Sequence, residues 1–480
     1  TMITTIQEWI LYLEQAYPNR VAFQYMDYTT GELTKITYAR YAGDVRQFAS
    51  YLYTTIKDPK GKHFGILAGN GYQYAVSLYG VLLAGGVAVP LNPMKRWEEL
   101  DYEINCGDLC LIFHDGTFME REPALGAAYG SILRPLTVYQ ACESAVEVPA
   151  LYDSERLAVI MFTSGTTARC KGVMLTEKNL MAPIKAFTGV VEEVTDQPIT
   201  RLFFVMPMYH IGGLVSVLVH TYLGHQINMC CQPKNIYREL KRMESDFTCI
   251  APEILYSFYK NLKKGRVKRL NGIHSISCGS ATLDTSLLAL FQKYNILVSQ
   301  SYGLTEMCGG GTSNKSMAAG KIRSVGQPIS GVEIKIEDGE VCLRGEAMMK
   351  GYYKDPIATA QVIQNSWLHT GDLGYLDEDG YLYLTGRKKN LIILASGENI
   401  NPEEVEVLIS QCPEVEEVLV KEKNGRLCAE IFCAIDQQKT VANYISELNK
   451  TLALYTRVSL VEYREQPFEK TATGKIKRKG

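Results

Sequence analysis

Between residues 63 and 300 the chain alternates short apolar runs with amphipathic ones, and this constrains its fold more than any other feature. Residues 63–67, 87–91, 110–113, 202–206, 227–230, 247–250, 273–278 and 297–300 are short and apolar, so each reads as a strand. Residues 72–84, 98–105, 214–222 and 236–243 repeat apolar positions at helical spacing between them. Alternation of this kind builds parallel sheets covered by helices, with ligands at the carboxyl ends of the strands. The expected fold class is therefore α/β.

The flanks read differently. Thr5 with Glu8 forms a capping box ahead of Ile6, Trp9, Ile10 and Leu13 at helical spacing. Residues 21–25 and 35–38 flank Thr30-Gly31 as a hairpin. After about residue 312, Asp338-Gly339 and Asp379-Gly380 each sit between strand-like runs. They predict a small β-barrel-like subdomain or a twisted antiparallel sheet. The polar run Gly386-Arg387-Lys388-Lys389-Asn390 reads as an interdomain linker. Beyond it, Asn401-Pro402-Glu403-Glu404 is a strong helix start. Strands at 415–420, 428–435 and 458–463 and a helix at 441–454 complete a compact α+β unit. The expected division is a large N-terminal domain, residues 1–387, and a smaller C-terminal domain, residues 388–480.

Composition narrows the function. At 480 residues the chain exceeds one ordinary domain. A net charge of −2 leaves no basic field for nucleic acid. The longest apolar stretch, residues 76–91, is broken by Gly80, Gly85, Gly86 and Pro90, and falls short of the ~20 residues of a membrane span. Thirteen cysteines lack paired metal spacing. Their odd number, with no secretion signal, predicts a reducing, cytoplasmic setting.

One loop invites chemistry. The apolar strand at 157–162 runs into TSGTTARCKG, residues 163–172, and Thr176 then offers a cap for a following helix. Hydroxyls, glycine and a closing lysine suit a polyphosphate, which backbone N–H groups, Ser and Thr hydroxyls and one cation would surround. The loop is not a Walker loop: the second glycine falls on Cys170, and Gly172 follows Lys171 where Ser or Thr should stand. Composition alone favours a polar surface loop.

Further motifs follow in a fixed order: PMYHIGGL (207–214), CGSATL (278–283), SYGLTE (301–306), HTGDLGYLDEDGYLYLTGRKKNLI (369–392), ASGENINPEEVE (395–406) and TATGKIKR (471–478). Together with the loop they resemble the adenylate-forming superfamily of acyl-CoA synthetases, stand-alone adenylation domains and luciferases. The resemblance covers nearly the whole chain. It implies activation of a carboxylate by ATP with Mg2+, through an acyl-adenylate, followed by transfer to the thiol of coenzyme A or to the phosphopantetheine arm of a carrier protein.

The resemblance also implies roles for individual residues. Thr163, Ser164, Gly165, Thr166, Thr167 and Lys171 match the phosphate loop. Gly279, Ser280 and Ala281 match the small-residue turn beside adenine, and Tyr302, with Gly303, the ring that stacks on it. Thr305 matches a hydroxyl on phosphate and Glu306 the Mg2+ ligand. Asp372 and Arg387 match the ribose contacts. Lys475 matches the lysine that spans acyl carboxylate and phosphate. Lys389 matches a hinge about which the C-terminal domain turns, withdrawing Lys475 and bringing Gly397 to line a thiol tunnel. His210 matches a position at the mouth of the acyl pocket, where it gates the tunnel or touches the carboxylate; a structural histidine is the alternative. The loop departs from the family's Gly-x-Pro-Lys-Gly at Ala168-Arg169-Cys170.

No acid stands among residues 207–214 to pair a substrate ammonium, which argues against an α-amino acid. Gly212, Gly213, Met307, Cys308 and Gly309 to Gly311 predict a roomy apolar pocket for an aryl, fatty or polyketide-derived acid. The sequence thus points to an acid–CoA ligase. Its alternatives are a ligase loading an acyl carrier protein and a degenerate homologue that binds nucleotide or acyl group without turnover.

Overall fold

The computed structural model describes residues 3–119, 121–142, 146–151, 153–163, 170–193, 197–279, 285–314, 320–393, 399–424, 426–452, 456–470 and 476–478. The chain divides into two compact units. The first comprises Thr1–Ile322, Gly326–Glu333 and Leu343–Leu368, and the second Arg323–Val325, Ile334–Cys342 and His369–Gly480.

Two sheets frame the first unit. The nine-stranded sheet runs in the order Gln327–Pro328, Gly311–Asn314, Leu297–Gly303, Ser275–Cys278, Phe247–Ile250, Arg201–Phe204, Gln226–Met229, Val21–Met26, Leu33–Thr37. Its interior pairs are parallel and its edges antiparallel. The seven-stranded sheet runs Gly351–Tyr352, Lys171–Thr176, Leu157–Thr163, Val87–Leu91, His63–Leu67, Leu109–His114, Leu133–Pro135. It too is parallel inside, with an antiparallel end at Leu157–Thr163, Lys171–Thr176 and Gly351–Tyr352. Val87–Leu91 is buried along its whole length, as a strand covered on both faces must be.

Helices join the sheets. Tyr72–Leu83 is buried on every side, which marks a helix inside a large core rather than on its surface. It packs on Val87–Leu91, while Ile211–Tyr222 packs on Gln226–Met229 of the other sheet. The Tyr79 hydroxyl donates to the Leu214 carbonyl at 2.7 Å, and Trp9 lies 4.8 Å from the Tyr79 ring. The expected capping box opens Ile6–Ala16: Thr5 Oγ1 accepts from the Glu8 amide and the Glu8 carboxylate accepts from the Thr5 amide. Tyr38–Thr55 is a helix that the sequence reading passed over; Thr37 Oγ1 caps it by accepting from the Arg40 amide at 3.3 Å.

In the second unit, residues 372–376 pair with Leu382–Arg387 across the Asp379-Gly380 turn, where Gly380 takes a φ of 77°. Of the sheet expected as a small β subdomain, residues 334–337, 340–342 and 369–376 and the strand Leu382–Arg387 lie in this unit. Asn401 starts Pro402–Ile409 by accepting from the Glu403 amide at 3.2 Å. Glu417–Lys423 and Arg426–Phe432 pair antiparallel, and Gln438–Thr451 crosses over to bring Val458–Arg464 parallel to Arg426–Phe432. Val405, Ile409, Val418, Leu427, Ile431, Val441 and Ile445 form one buried core there.

Candidate active site

The phosphate-loop candidate is held by a hairpin. Leu157–Thr163 and Lys171–Thr176 pair antiparallel, with Thr163 directly opposite Lys171. The Thr163 hydroxyl reaches the Lys171 carbonyl at 3.5 Å. Beyond the hairpin, Thr176 Oγ1 accepts from the Asn179 amide and the Asn179 side chain accepts from the Thr176 amide, so the expected cap opens Glu177–Glu193. Ser164, Gly165, Thr166 and Thr167 lie outside the described residues, as do Ser280, Ala281, Gly397 and Lys475.

Lys171 leads to Glu306 through one tyrosine. Its Nζ lies 5.0 Å from the centre of the Tyr352 ring, a cation–π contact. The Tyr352 hydroxyl donates to Glu306 Oε1 at 2.9 Å. Burial, and then the Glu306 carboxylate, push the Tyr352 phenol well above its usual range, so it remains a donor. Tyr352 is placed by its pairing with Val173, next to the loop's closing Gly172. Glu306 is placed by a 3-10 turn, Thr305–Met307, whose Glu306 carbonyl accepts from the Met349 amide at 2.8 Å. Among the described residues, the other Glu306 carboxylate oxygen has no hydrogen-bond partner. Glu306 is thus a half-buried hard oxygen donor with one oxygen to spare, which fits a Mg2+ ligand.

Tyr302 and Gly303 end the Leu297–Gly303 strand just before that turn. A Cβ on Gly303 would lie 2.2 Å from the Gly309 carbonyl oxygen, so the backbone approach there excludes any side chain. A Cβ on Gly279 would meet Ser301 Oγ at 2.9 Å. Gly311 likewise packs against the Tyr302 carbonyl, and Met307 and Cys308 are fully buried. Residues 307–311 therefore form an apolar wall, closely packed at Gly311 and in ordinary contact at Gly309, where a Cβ would lie 3.8 Å from Ile211.

His210 precedes the Ile211–Tyr222 helix and makes no side-chain cap. Burial, and then the Lys95 ammonium, hold its imidazole below the usual histidine range, so it is neutral near pH 7. Lys95 was not anticipated. It ion-pairs with Glu103, whose side chain is only 1% exposed, and its Nζ sits 3.9 Å from Cys170 Sγ. Cys170, the loop's departure from proline, thus rests against a buried ion pair. Asn70 was also missed: it accepts from the Met208 amide and donates to the Met206 carbonyl, both at 2.9 Å, and so fixes the segment before His210. No local motif marks Lys95 or Asn70.

Asp372 and Arg387 come together in the second unit. They face each other across the hairpin, and Arg387 Nε donates to Asp372 Oδ1 at 2.7 Å. Asp372 is buried, whereas Arg387 is a third exposed. The Arg387 amide donates to Glu403 Oε2 at 3.1 Å, tying the strand end to the next helix. Lys389 lies exposed in the 3-10 turn Lys388–Asn390 that follows.

The chain is similar to known proteins over most of its length. The sequence profile described as "AMP-binding enzyme" matches residues 13–353. A long-chain-fatty-acid–CoA ligase of Escherichia coli O157:H7 is 27% identical over 491 residues, 90% of this chain and 87% of that protein. The o-succinylbenzoate CoA synthetase (MenE) of Bacillus subtilis, solved in complex with the acyl-adenylate intermediate OSB-AMP, superposes with a TM-score of 0.84 at 26% identity, over 98% of this chain and 96% of its own. The same B. subtilis enzyme in complex with ATP and magnesium ion gives a TM-score of 0.82 at 26% identity, over 98% of each chain. Among the described residues no helix is long and apolar enough to cross a membrane.

Proposed function

Since the chain belongs to the AMP-binding enzyme family, we propose that it is an ATP-dependent carboxylic acid–CoA ligase. A substrate carboxylate oxygen attacks the α-phosphorus of ATP, and pyrophosphate leaves. The thiol sulfur of coenzyme A then attacks the acyl carbonyl of the acyl-adenylate, and AMP leaves with the electron pair of the broken C–O bond. Neither step needs a covalent catalyst; both need charge placed where charge develops.

The Lys171–Tyr352–Glu306 chain is the observation that carries this reading. It fastens the closing lysine of a polyphosphate loop to a carboxylate suited to a hard cation. Bound Mg2+ would neutralise phosphate charge, with Glu306 as its ligand. Thr163, Ser164, Gly165, Thr166, Thr167 and Lys171 hold the phosphates, and Thr305 adds a hydroxyl. Gly279, Ser280, Ala281, Tyr302 and Gly303 border the adenine. Asp372 accepts from the ribose hydroxyls, and the Arg387 guanidinium orients it. The neutral His210 imidazole sits beside the acyl carboxylate.

Residues 388–480 act as a mobile lid turning at Lys389, with Lys475 serving the first step and Gly397 the second. The acid is aryl or fatty, which the lack of an acidic partner in 207–214 and the apolar wall at 307–311 support. Thirteen cysteines without a disulfide fit a cytoplasmic location. Pyrophosphate release across a panel of aryl and fatty acids tests the proposal, and release with no acid at all would sink it. Comparing thioester formation on free coenzyme A and on acyl carrier proteins identifies the acceptor.

A further inference from the structure

The Glu337-Asp338-Gly339-Glu340 hairpin makes a second cluster, within the second unit. Asp338 and Gly339 both take positive φ, 50° and 78°, as a two-residue turn requires, and this sets Glu337 and Glu340 at the two strand ends. Cys342, two residues on, shares a face with Glu340 because side chains alternate along a strand. His369 brings its ring from the neighbouring strand. One ligand atom from each of Glu337, Cys342 and His369 lies within 4.8 Å of the others. Cys342 Sγ is 3.5 Å from His369 Nδ1, and Glu340 Oε2 is 3.4 Å from the same nitrogen.

We propose that Glu337, Cys342 and His369, with Glu340 beside them, form a binding site for a thiophilic divalent cation of the Zn2+ class. The spacing supports it. Tetrahedral zinc, with Zn–S near 2.3 Å and Zn–N near 2.0–2.1 Å, separates sulfur from nitrogen by about 3.5 Å. A thiol, an imidazole and a carboxylate together select Zn2+ over Mg2+ or Ca2+, which take oxygen sets. The carboxylates are presently paired with cations: Lys335 with Glu337, and Lys388 with Glu340 at 3.0 Å. The ion would displace them, and the Cys342 thiol proton would pass to solvent. Glu340 also accepts from the Gly371 amide at 2.8 Å, so an ion here would stiffen the turn that presents Asp372.

The full chain, stripped with EDTA and dialysed, is titrated with Zn2+ against a chromophoric chelator and with Co2+ by absorption. The site predicts a single tight equivalent and a thiolate-to-cobalt charge-transfer band. Cys342→Ser should abolish the band and weaken Zn2+ by about 10- to 100-fold. Glu337→Gln, at an exposed position where folding is not at risk, should weaken Zn2+ about tenfold and keep the band. No tight equivalent, or Zn2+ affinity unchanged in Glu337→Gln, overturns the proposal. So does a cobalt band that survives Cys342→Ser, because another of the thirteen cysteines would then be the ligand.

Discussion

Glu306 in the first unit and Asp372 in the second are two acids kept in opposite ways. Glu306 is half-buried and held by a neutral phenol, so its charge stays available. Asp372 is buried and held by a guanidinium at 2.7 Å, so its charge is answered within the protein. On the roles proposed above, an acid meant for a cation should not be given one by its own fold. An acid meant to accept from hydroxyls gains from being fixed in direction. The contrast teaches that the partner, more than the carboxylate, assigns the task.

The strongest test on the two units separates the half-reactions that the second one serves. Lys475→Ala should slow adenylation by about 10²–10³-fold, comparable to removing one preorganised charge-stabilising donor. It should leave thioester formation from supplied acyl-AMP intact; equal loss in both would merge the roles assigned to Lys475 and Gly397.

Acid should also part them. In the first unit, His220 and His225 are buried with Nδ1 atoms 3.0 Å apart, and burial depresses His225 to about 4. Below the unfolded value the unfolded chain takes up a proton that the fold refuses. Stability is thus lost as pH falls from about 6.5 to 4, by up to ~3 kcal/mol. In the second unit, burial pushes Glu406 up to about 7 against the pull of Arg478. Its contribution has the reverse sign, present in acid and lost as pH rises through 7. Hydrogen exchange at pH 5 and 7.5 should therefore show the first unit opening more readily in acid and the second less. Parallel behaviour would break the comparison.

Between the acids themselves, Arg387→Ala should destabilise the second unit by ~2 kcal/mol, since it strips a buried carboxylate of its counter-charge, with the cost tempered by solvent. Tyr352→Phe should hardly move the unfolding midpoint yet slow adenylation about tenfold, by letting Glu306 wander. Urea melts beside pyrophosphate kinetics would sharpen the distinction or erase it. The smallest effect is expected at the linker: Lys389→Pro should slow the second half-reaction a few-fold more than the first, by stiffening the pivot.

Much of this was readable from residues alone. The Asp379-Gly380 turn sets the register that opposes Asp372 to Arg387, although the pair was first matched by resemblance. Capping by Thr5, Thr176 and Asn401 was legible because a cap is a local bond. Tyr38–Thr55 was passed over although Tyr38, Tyr41, Val45, Phe48 and Leu52 fall at helical spacing, because its interleaved tyrosines and polar residues mask the stripe. Tyr352 was not legible. It reaches Glu306 from 46 residues away in sequence through strand pairing, and the pair Tyr352-Tyr353 carries no motif. Lys95–Glu103 was hidden for the same reason: only the completed core makes that pair buried.

The ladder between Leu157–Thr163 and Lys171–Thr176 has a genetic corollary. Inserting or deleting a single codon between its ends would slide the rungs by one, exchanging the buried face that carries Ile160 and Phe162 with the one that carries Val159 and Met161. Position 170 carries cysteine in place of the family's proline, yet the ladder beside it still sets Thr163 opposite Lys171.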